Sequence, residues 1–449
     1  MDLFDTGGYF SQKIPILAAT RPLLKHAACA FATKHLQRVR RQADCSHNYS
    51  RSQTAIGEIS QNFSHVDWSY KSVEHYDNAI SLLLESVQLV DSQQEVYGEK
   101  GYPDEILATV AILSMYELMD APGPEWKAHL SALPLLDNSS FELHNPTSSI
   151  SNIQLTAAKR SIFWNFARQD FLSAFIGETR TRLDPGDVQL WRKVGIHVDE
   201  NGILLQNKNL RDFRTNDAGR ETLHSDDGVE VEEDMISNSM IWLLGKIVNF
   251  LAAGDGIYPG DFELPTARQQ RFAIPQEELL GRWNLLQQEL QTWYDSLPST
   301  FAPCARTKLA SQDTQDSPID LPNFEKVWYS IPMCAATMQY YHMARIILLV
   351  NRPQESTAIK SSITARLWSY RMIQEEAQYH SREICGISLS NLPDAVRIHS
   401  LQPLFVAGQC LSETFERRAV LGILSSIQKD LGWATGYRMR KLEEEWNAG

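Results

Sequence analysis

The chain has 449 residues, 43 % of them hydrophobic and 22 % charged, with 11 Trp, 17 Phe and 15 Tyr, which supports a large core and excludes disorder of the whole. Its net charge of −13 repels phosphate and argues against sequence-independent nucleic-acid binding. Six scattered cysteines, Cys29, Cys45, Cys304, Cys334, Cys385 and Cys410, form no Cys-x-x-Cys pair, so neither a zinc knuckle nor a redox dithiol is spelled out.

The acidic opening Met1-Asp2-Leu3-Phe4-Asp5 lacks an apolar signal core. No uninterrupted apolar run reaches the ~20 residues of a membrane helix. The expectation is a soluble intracellular protein with no membrane contact. Helices follow in chain order. The first is expected over 22–42. Val73, Tyr76, Ile80, Leu83, Val87 and Val90 recur at steps of three and four, one apolar stripe on the next. Pro103, with Asp104 and Glu105 near the positive end, opens a helix over 103–119, and Ala121-Pro122-Gly123-Pro124 stops it. Helices over 124–136 and 154–180 come next. Ile236, Met240, Leu243, Ile247 and Leu251 form a stripe closed by Gly254-Asp255-Gly256. Leu279, Trp283, Leu286, Leu290, Trp293 and Leu297 form another, after Pro275. Further helices are predicted over 325–350, 358–382, 394–412, 415–431 and 435–447. Strand patterns are scarce; Ile203-Leu204-Leu205 is the one candidate for a brief pairing.

These patterns predict an all-α protein, a large helical array built as one core or as two closely packed lobes. Composition divides it into an N-terminal lobe (1–207), an acidic loop (208–233), a helical hairpin (234–298), a polar linker (299–322) and a C-terminal lobe (323–449). No fixed-period repeat of the solenoid kind is present.

Chemistry-bearing motifs are few. There is no Gly-x-x-x-x-Gly-Lys, no Gly-x-Ser-x-Gly and no His-Glu-x-x-His, and the acid-rich run Asp226 to Asp234 falls in a predicted loop rather than on a metal-binding helix. The chain therefore does not read as an enzyme. His26, Cys29 and His35 share a helix, but His35 lies too far along it to join the same ion and no fourth ligand follows, so no metal is expected. Tyr340-Tyr341-His342-Met343-Ala344-Arg345 sets rings and a guanidinium on an apolar helix. It either lines a ligand pocket, with Arg345 answering an anion, or packs in the core with Arg345 paired to a carboxylate. Trp164 and Trp242, on apolar helices, are candidates for the opposite wall, so the candidate effector pocket comprises Trp164, Trp242, Tyr341 and Arg345. Arg168 and Asp170, two residues apart, point to different sides and need separate partners.

Several phrases appear in an order that resembles a known family. They are Phe4-Asp5-Thr6 through Tyr9-Phe10, with Pro22-Leu23-Leu24-Lys25-His26; Tyr76-Asp77-Asn78-Ala79-Ile80-Ser81-Leu82-Leu83; Tyr116-Glu117-Leu118 with Trp126-Lys127-Ala128-His129-Leu130; Phe163-Trp164 through Gln169-Asp170; and Leu431-Gly432-Trp433-Ala434-Thr435-Gly436-Tyr437-Arg438. Together they resemble the fungal-specific transcription factor domain, the middle homology region of binuclear zinc-cluster activators. Gly432 looks like a helix C-cap that turns Trp433 onto the core.

The resemblance implies a nuclear, transcription-regulatory domain that restrains or licenses activation, with the transcription machinery or co-regulators as partners and a small molecule as effector. The family reads DNA through an N-terminal six-cysteine cluster holding zinc. That spacing is missing here, so zinc and DNA contact are expected only from a segment outside this sequence, whether the chain is a fragment of a longer factor or a stand-alone regulator. The alternative is a generic helical protein-interaction module.

Overall fold

The computed structural model describes residues 2–5, 7–45, 66–97, 103–121, 123–131, 156–204, 230–252, 276–308, 324–353 and 363–448. They form two compact units, one of Met1–Gln169 with Leu421–Gly449 and one of Asp170–Val420. The fold is all-α, with one short two-stranded antiparallel sheet among the described residues.

In the first unit a π-helical turn, Tyr9–Lys13, leads into α1 (Ile14–Ala18). Its free N–H groups are capped by acids: Asp5 accepts from the Tyr9 amide at 3.0 Å and Asp2 from the Phe10 amide at 3.0 Å. Helices α2 (Pro22–Cys45) and α3 (Trp68–Tyr97) pack along each other, and the buried Ala27, Ala30 and Ala79 let their backbones approach. Helix α4 (Asp104–Leu118) is buried around most of its circumference, which is why its sequence is apolar rather than striped. Short α5 (Pro124–Leu130) buries Trp126 and Leu130. In α6 (Ala157–Gly177) the Gln169 side-chain oxygen accepts from Trp126 Nε1 at 2.9 Å and from the Ser114 hydroxyl, while its amide nitrogen donates to Asn165 at 2.7 Å. Gln169 thus ties α4, α5 and α6 together, and the phrase around it is a packing device.

The second unit continues from Asp170. Its buried carboxylate accepts from the Leu183 amide at 2.9 Å and pairs with Arg182 at 3.2 Å, anchoring the turn before α7 (Val188–Lys193). Arg168 by contrast reaches the Trp164 carbonyl and lies 4.5 Å from the Phe4 ring centroid, so the two charges do find separate partners. A single bridge joins Val198 and Leu204, the brief pairing expected there. Next come α8 (Glu230–Ala252), α9 (Gln276–Asp295) and a 3-10 turn at Ser299–Phe301. Strands β1 (Ala305–Lys308) and β2 (Glu325–Trp328) pair antiparallel, Ala305 opposite Trp328. Helices α10 (Pro332–Val350), α11 (Ile363–Ser388), α12 (Asp394–His399), α13 (Leu401–Cys410) and α14 (Thr414–Leu431) follow, the last entering the first unit at Leu421.

The chain closes in the first unit. Gly432 takes φ 69° after α14, its amide returning to the Gln428 carbonyl at 3.0 Å, and Trp433 is buried, as the C-cap reading requires. Helix α15 (Gly436–Ala448) ends the described residues.

Several elements depart from the sequence reading. Residues 325–328 are strand rather than helix. Pro332 holds Ile331 in an extended conformation (φ −114°, ψ 124°) and α10 starts at the proline. The expected helix over 394–412 breaks at Ser400, because Pro403 has no N–H for the His399 carbonyl four residues back. At the edges of the expected acidic loop and polar linker, Glu230 opens α8 with Glu233 buried, and 299–301 and 305–308 form a turn and a strand; 208–229 and 309–322 lie outside the described residues. The units also divide the chain differently from the composition boundaries, since Leu421–Gly449 joins the N-terminal unit. Val73, placed on the buried stripe of α3, is 53 % exposed; Ser72 and Ala79 take the buried face. Within α8, Glu233–Ala252 is long and apolar enough to cross a membrane by length and composition, and 67 % of its most apolar stretch is buried in the protein. The stripes of α8 and α9 lie on buried or half-buried faces as predicted. Gly254-Asp255-Gly256, Pro275 and Pro122 fall outside the described residues.

Candidate functional site

Polar groups buried in an apolar helix bundle are costly unless paired, so the place where they gather is informative. In the second unit they gather between α10 and α11. His342 and His380 meet Nδ1 to Nδ1 at 2.8 Å, both buried. Beyond each ring lies a carboxylate: Glu383 is 4.0 Å from His342 Nε2 and Glu376 is 3.9 Å from His380 Nε2. Each carboxylate holds an arginine. Arg306 on β1 grips Glu383 through two bonds of 2.7 and 2.8 Å, and Arg345 holds Glu376 through one of 2.6 Å. The result is a line of alternating groups, Arg306, Glu383, His342, His380, Glu376 and Arg345.

Burial dominates the electrostatics. It pushes the His342 pKa down to about 3, with Arg306 and Arg345 adding to the effect. It pushes His380 down to about 2, helped by His342 and Arg345. Both imidazoles are therefore neutral near pH 7. The hydrogen bond to Glu383 raises the Arg306 pKa further above its usual range, so the guanidinium stays charged.

Helix α9 supplies an aromatic flank. Tyr341 stacks on Tyr294 (centroids 4.6 Å apart, 15° between planes) and on Trp293 (5.8 Å, 26°), and its ring meets His380 edge-on at 6.3 Å. Gln291 accepts from Arg345 at 3.2 Å, and Trp283 donates to the Leu348 carbonyl at 2.8 Å, which sets the register of α9 along α10.

Of the four pocket residues read from the sequence, Tyr341 and Arg345 lie in this cluster, one turn apart on α10. Trp242, also in the second unit, donates to the Pro185 carbonyl at 3.0 Å and is covered by Lys246 at 4.0 Å from its ring, a different set of neighbours. Trp164 belongs to the first unit, packed edge-on against Phe163. The sequence reading missed His380, Glu376, Glu383, Arg306 and Tyr294. A signal existed for α11: Glu376, Tyr379, His380 and Glu383, at i, i+3, i+4 and i+7, form a polar stripe on one helix face.

His26 of the earlier metal reading faces His75, Nδ1 to Nδ1 at 3.0 Å, in the first unit. Among the described residues no three His, Cys, Asp or Glu side chains gather in a way that could hold a metal ion. Cys334 and Cys385 are buried, Cys304 is exposed on the approach to β1, and Cys29 and Cys410 lie on α2 and α13. Burial raises the Cys334 thiol to about 12. These residues do not fit a zinc cluster, whose ligands must converge as thiolates.

Residues 5–448 match the fungal-specific transcription factor domain, and the chain belongs to that family. It is 36 % identical, over an alignment of 488 positions, to transcription activator AMTR1 of Alternaria alternata, covering 99 % of this chain and 61 % of the relative. The chain thus spans less than two thirds of that relative's length. No solved structure matches.

Proposed function

We propose that this chain is the regulatory portion of a fungal transcription factor, acting in the nucleus to restrain or license activation in response to a small-molecule effector at Tyr341 and Arg345. The observation that carries the reading is the alignment with a transcription activator along 99 % of the chain. DNA contact belongs, in this proposal, to a zinc-cluster segment elsewhere in the factor, and the partners are the transcription machinery or co-regulators. The α10–α11 cluster supports the effector role, because a charge network with a half-exposed end can be rearranged by a ligand that binds one state better.

The test is a reporter assay with the full chain fused to an unrelated DNA-binding module. The fusion should change transcription several-fold relative to the module alone, and Arg345→Lys should alter that level without lowering the melting temperature. A fusion indistinguishable from the bare module overturns the regulatory reading. The exposed Tyr70, Val73, Leu84 and Leu89 on α3 favour a second reading, a protein-interaction module, which predicts no reporter change and partner capture lost on Leu84→Glu.

A further inference from the structure

The two arginine–glutamate pairs that flank the histidines are not equivalent. Arg306 gives two donors to both oxygens of Glu383. Arg345 gives Glu376 one donor, Nη2, and gives Nη1 to Gln291. Its Nε is shut from solvent and meets no hydrogen-bond acceptor among the described residues. A guanidinium presents Nε and Nη2 as parallel donors that one carboxylate fills together. At Arg345 that edge is half filled.

A second orphan lies in the same corner. Gln287 Oε1 is also buried without a partner among the described residues. Gln287, Gln291 and Tyr294 are spaced i, i+4 and i+7, one face of α9, and the Gln291–Arg345 and Tyr294–Tyr341 contacts place that face against Arg345. Tyr294 is 43 % exposed although one side of its ring covers the buried Tyr341, so its open side faces solvent. The corner therefore offers a cationic fork with a donor unmatched among the described residues, an amide able to donate or accept, and a flat ring surface.

We propose that this corner binds a planar organic acid, its carboxylate on the Nε–Nη2 edge of Arg345 and its ring against Tyr294. The proposal rests on the effector reading above and deepens it. The ligand carboxylate takes Nη2 from Glu376, whose side chain is 40 % exposed and swings to solvent. An acid is selected over a cation because the incompletely matched group is a cation, while the two neighbouring carboxylates are engaged, Glu376 by Arg345 and Asp295 by the Gln291 amide. A ring is selected because the exposed end of the Trp293–Tyr341–Tyr294 stack is a flat apolar face.

Calorimetry on the full chain with benzoate, benzamide and acetate tests this. Benzoate should bind about tenfold or more tightly than either control, one charge-assisted contact being worth ~1.4 kcal/mol. Arg345→Lys should weaken benzoate about tenfold with the melting temperature kept, and Tyr294→Ala should weaken benzoate but not acetate. Glu376→Gln, at a half-exposed site that tolerates change, should tighten benzoate several-fold because the competitor for Nη2 is gone. Equal affinity for benzoate and benzamide overturns the acid, and no binding by any probe at about 10 mM overturns the corner as a site. In either event a reporter response in the fusion assay leaves the regulatory reading standing. Unchanged benzoate affinity in Glu376→Gln overturns the proposed geometry even if Arg345→Lys fails to fold.

Discussion

His342 and His380 face each other across 2.8 Å with Nδ1 against Nδ1, so the neutral pair holds one proton in that contact, one ring donating and the other accepting. Whichever ring donates, its own Nε2 is bare and turns a lone pair toward its carboxylate, while the other ring offers an N–H to the opposite one. The pair couples the Glu383 and Glu376 ends, and a second proton in the contact would set two N–H groups head to head.

That arrangement has a pH consequence with a definite sign. The folded-state values of about 3 and about 2 lie below the ~6.5 of an unfolded histidine, so below pH ~6.5 the unfolded chain binds more protons. The contribution to stability is complete above that pH and falls as the pH drops from ~6.5 toward 3, at up to about 1.4 kcal/mol per pH unit for each proton. Urea denaturation between pH 7 and 4.5 should show the decline, and His380→Gln should flatten it even if the variant is less stable overall. An equally steep decline in the variant assigns the slope to other groups.

Gln169 serves two buried donors with one oxygen, Trp126 Nε1 and the Ser114 hydroxyl. Gln169→Leu should strand both and cost about 2–4 kcal/mol, with a change in tryptophan emission. Gln169→Glu keeps the acceptor but loses the donor to Asn165 and buries an acid, so it too should destabilise. A leucine variant as stable as the parent would mean that the phrase around Gln169 is not the tie between α4, α5 and α6.

Helix α11 runs on through Gly386 because strand β2 lies against it there. A methyl group at Gly386 would drive into the Glu325 carbonyl oxygen, which is backbone and cannot step aside. Gly386→Ala should lift the sheet, weaken the Arg306–Glu383 pair and expose Ala305–Lys308 to faster hydrogen exchange than in the parent. Unaltered exchange in the sheet would show that β2 adjusts freely.

At Gly432 the left-handed backbone and a crowded neighbour act together. A Cβ there would lie 2.8 Å from Arg38 Cβ and 3.2 Å from the Val39 nitrogen, at φ 69°. Gly432→Ala should cost about 1–3 kcal/mol, read from chemical denaturation, and Gly432→Asn less than its extra bulk suggests, because Asn tolerates that conformation.

Much of this protein was written locally. The stripes of α8 and α9, the apolar run of α10 and the glycine cap after α14 depend on interactions within a few turns of chain, so spacing and residue type disclose them. The family phrases disclosed the class of protein because they recur in order along the chain, although the partners of Trp126, Gln169 and Gly432 lie far away in sequence. The sequence alone did not show which charges meet. Arg306 and Glu383 are 77 residues apart, Arg345 and Glu376 are 31, and His342 and His380 are 38, and no local periodicity connects them. Nor did composition foresee β1 and β2, because a four-residue strand in a polar stretch exists only where a partner and a helix without a side chain at Gly386 receive it. Helices form from short-range hydrogen bonds and announce themselves in sequence; a buried charge network depends on long-range packing to remove the water, and only the tertiary structure decides which groups it leaves facing one another.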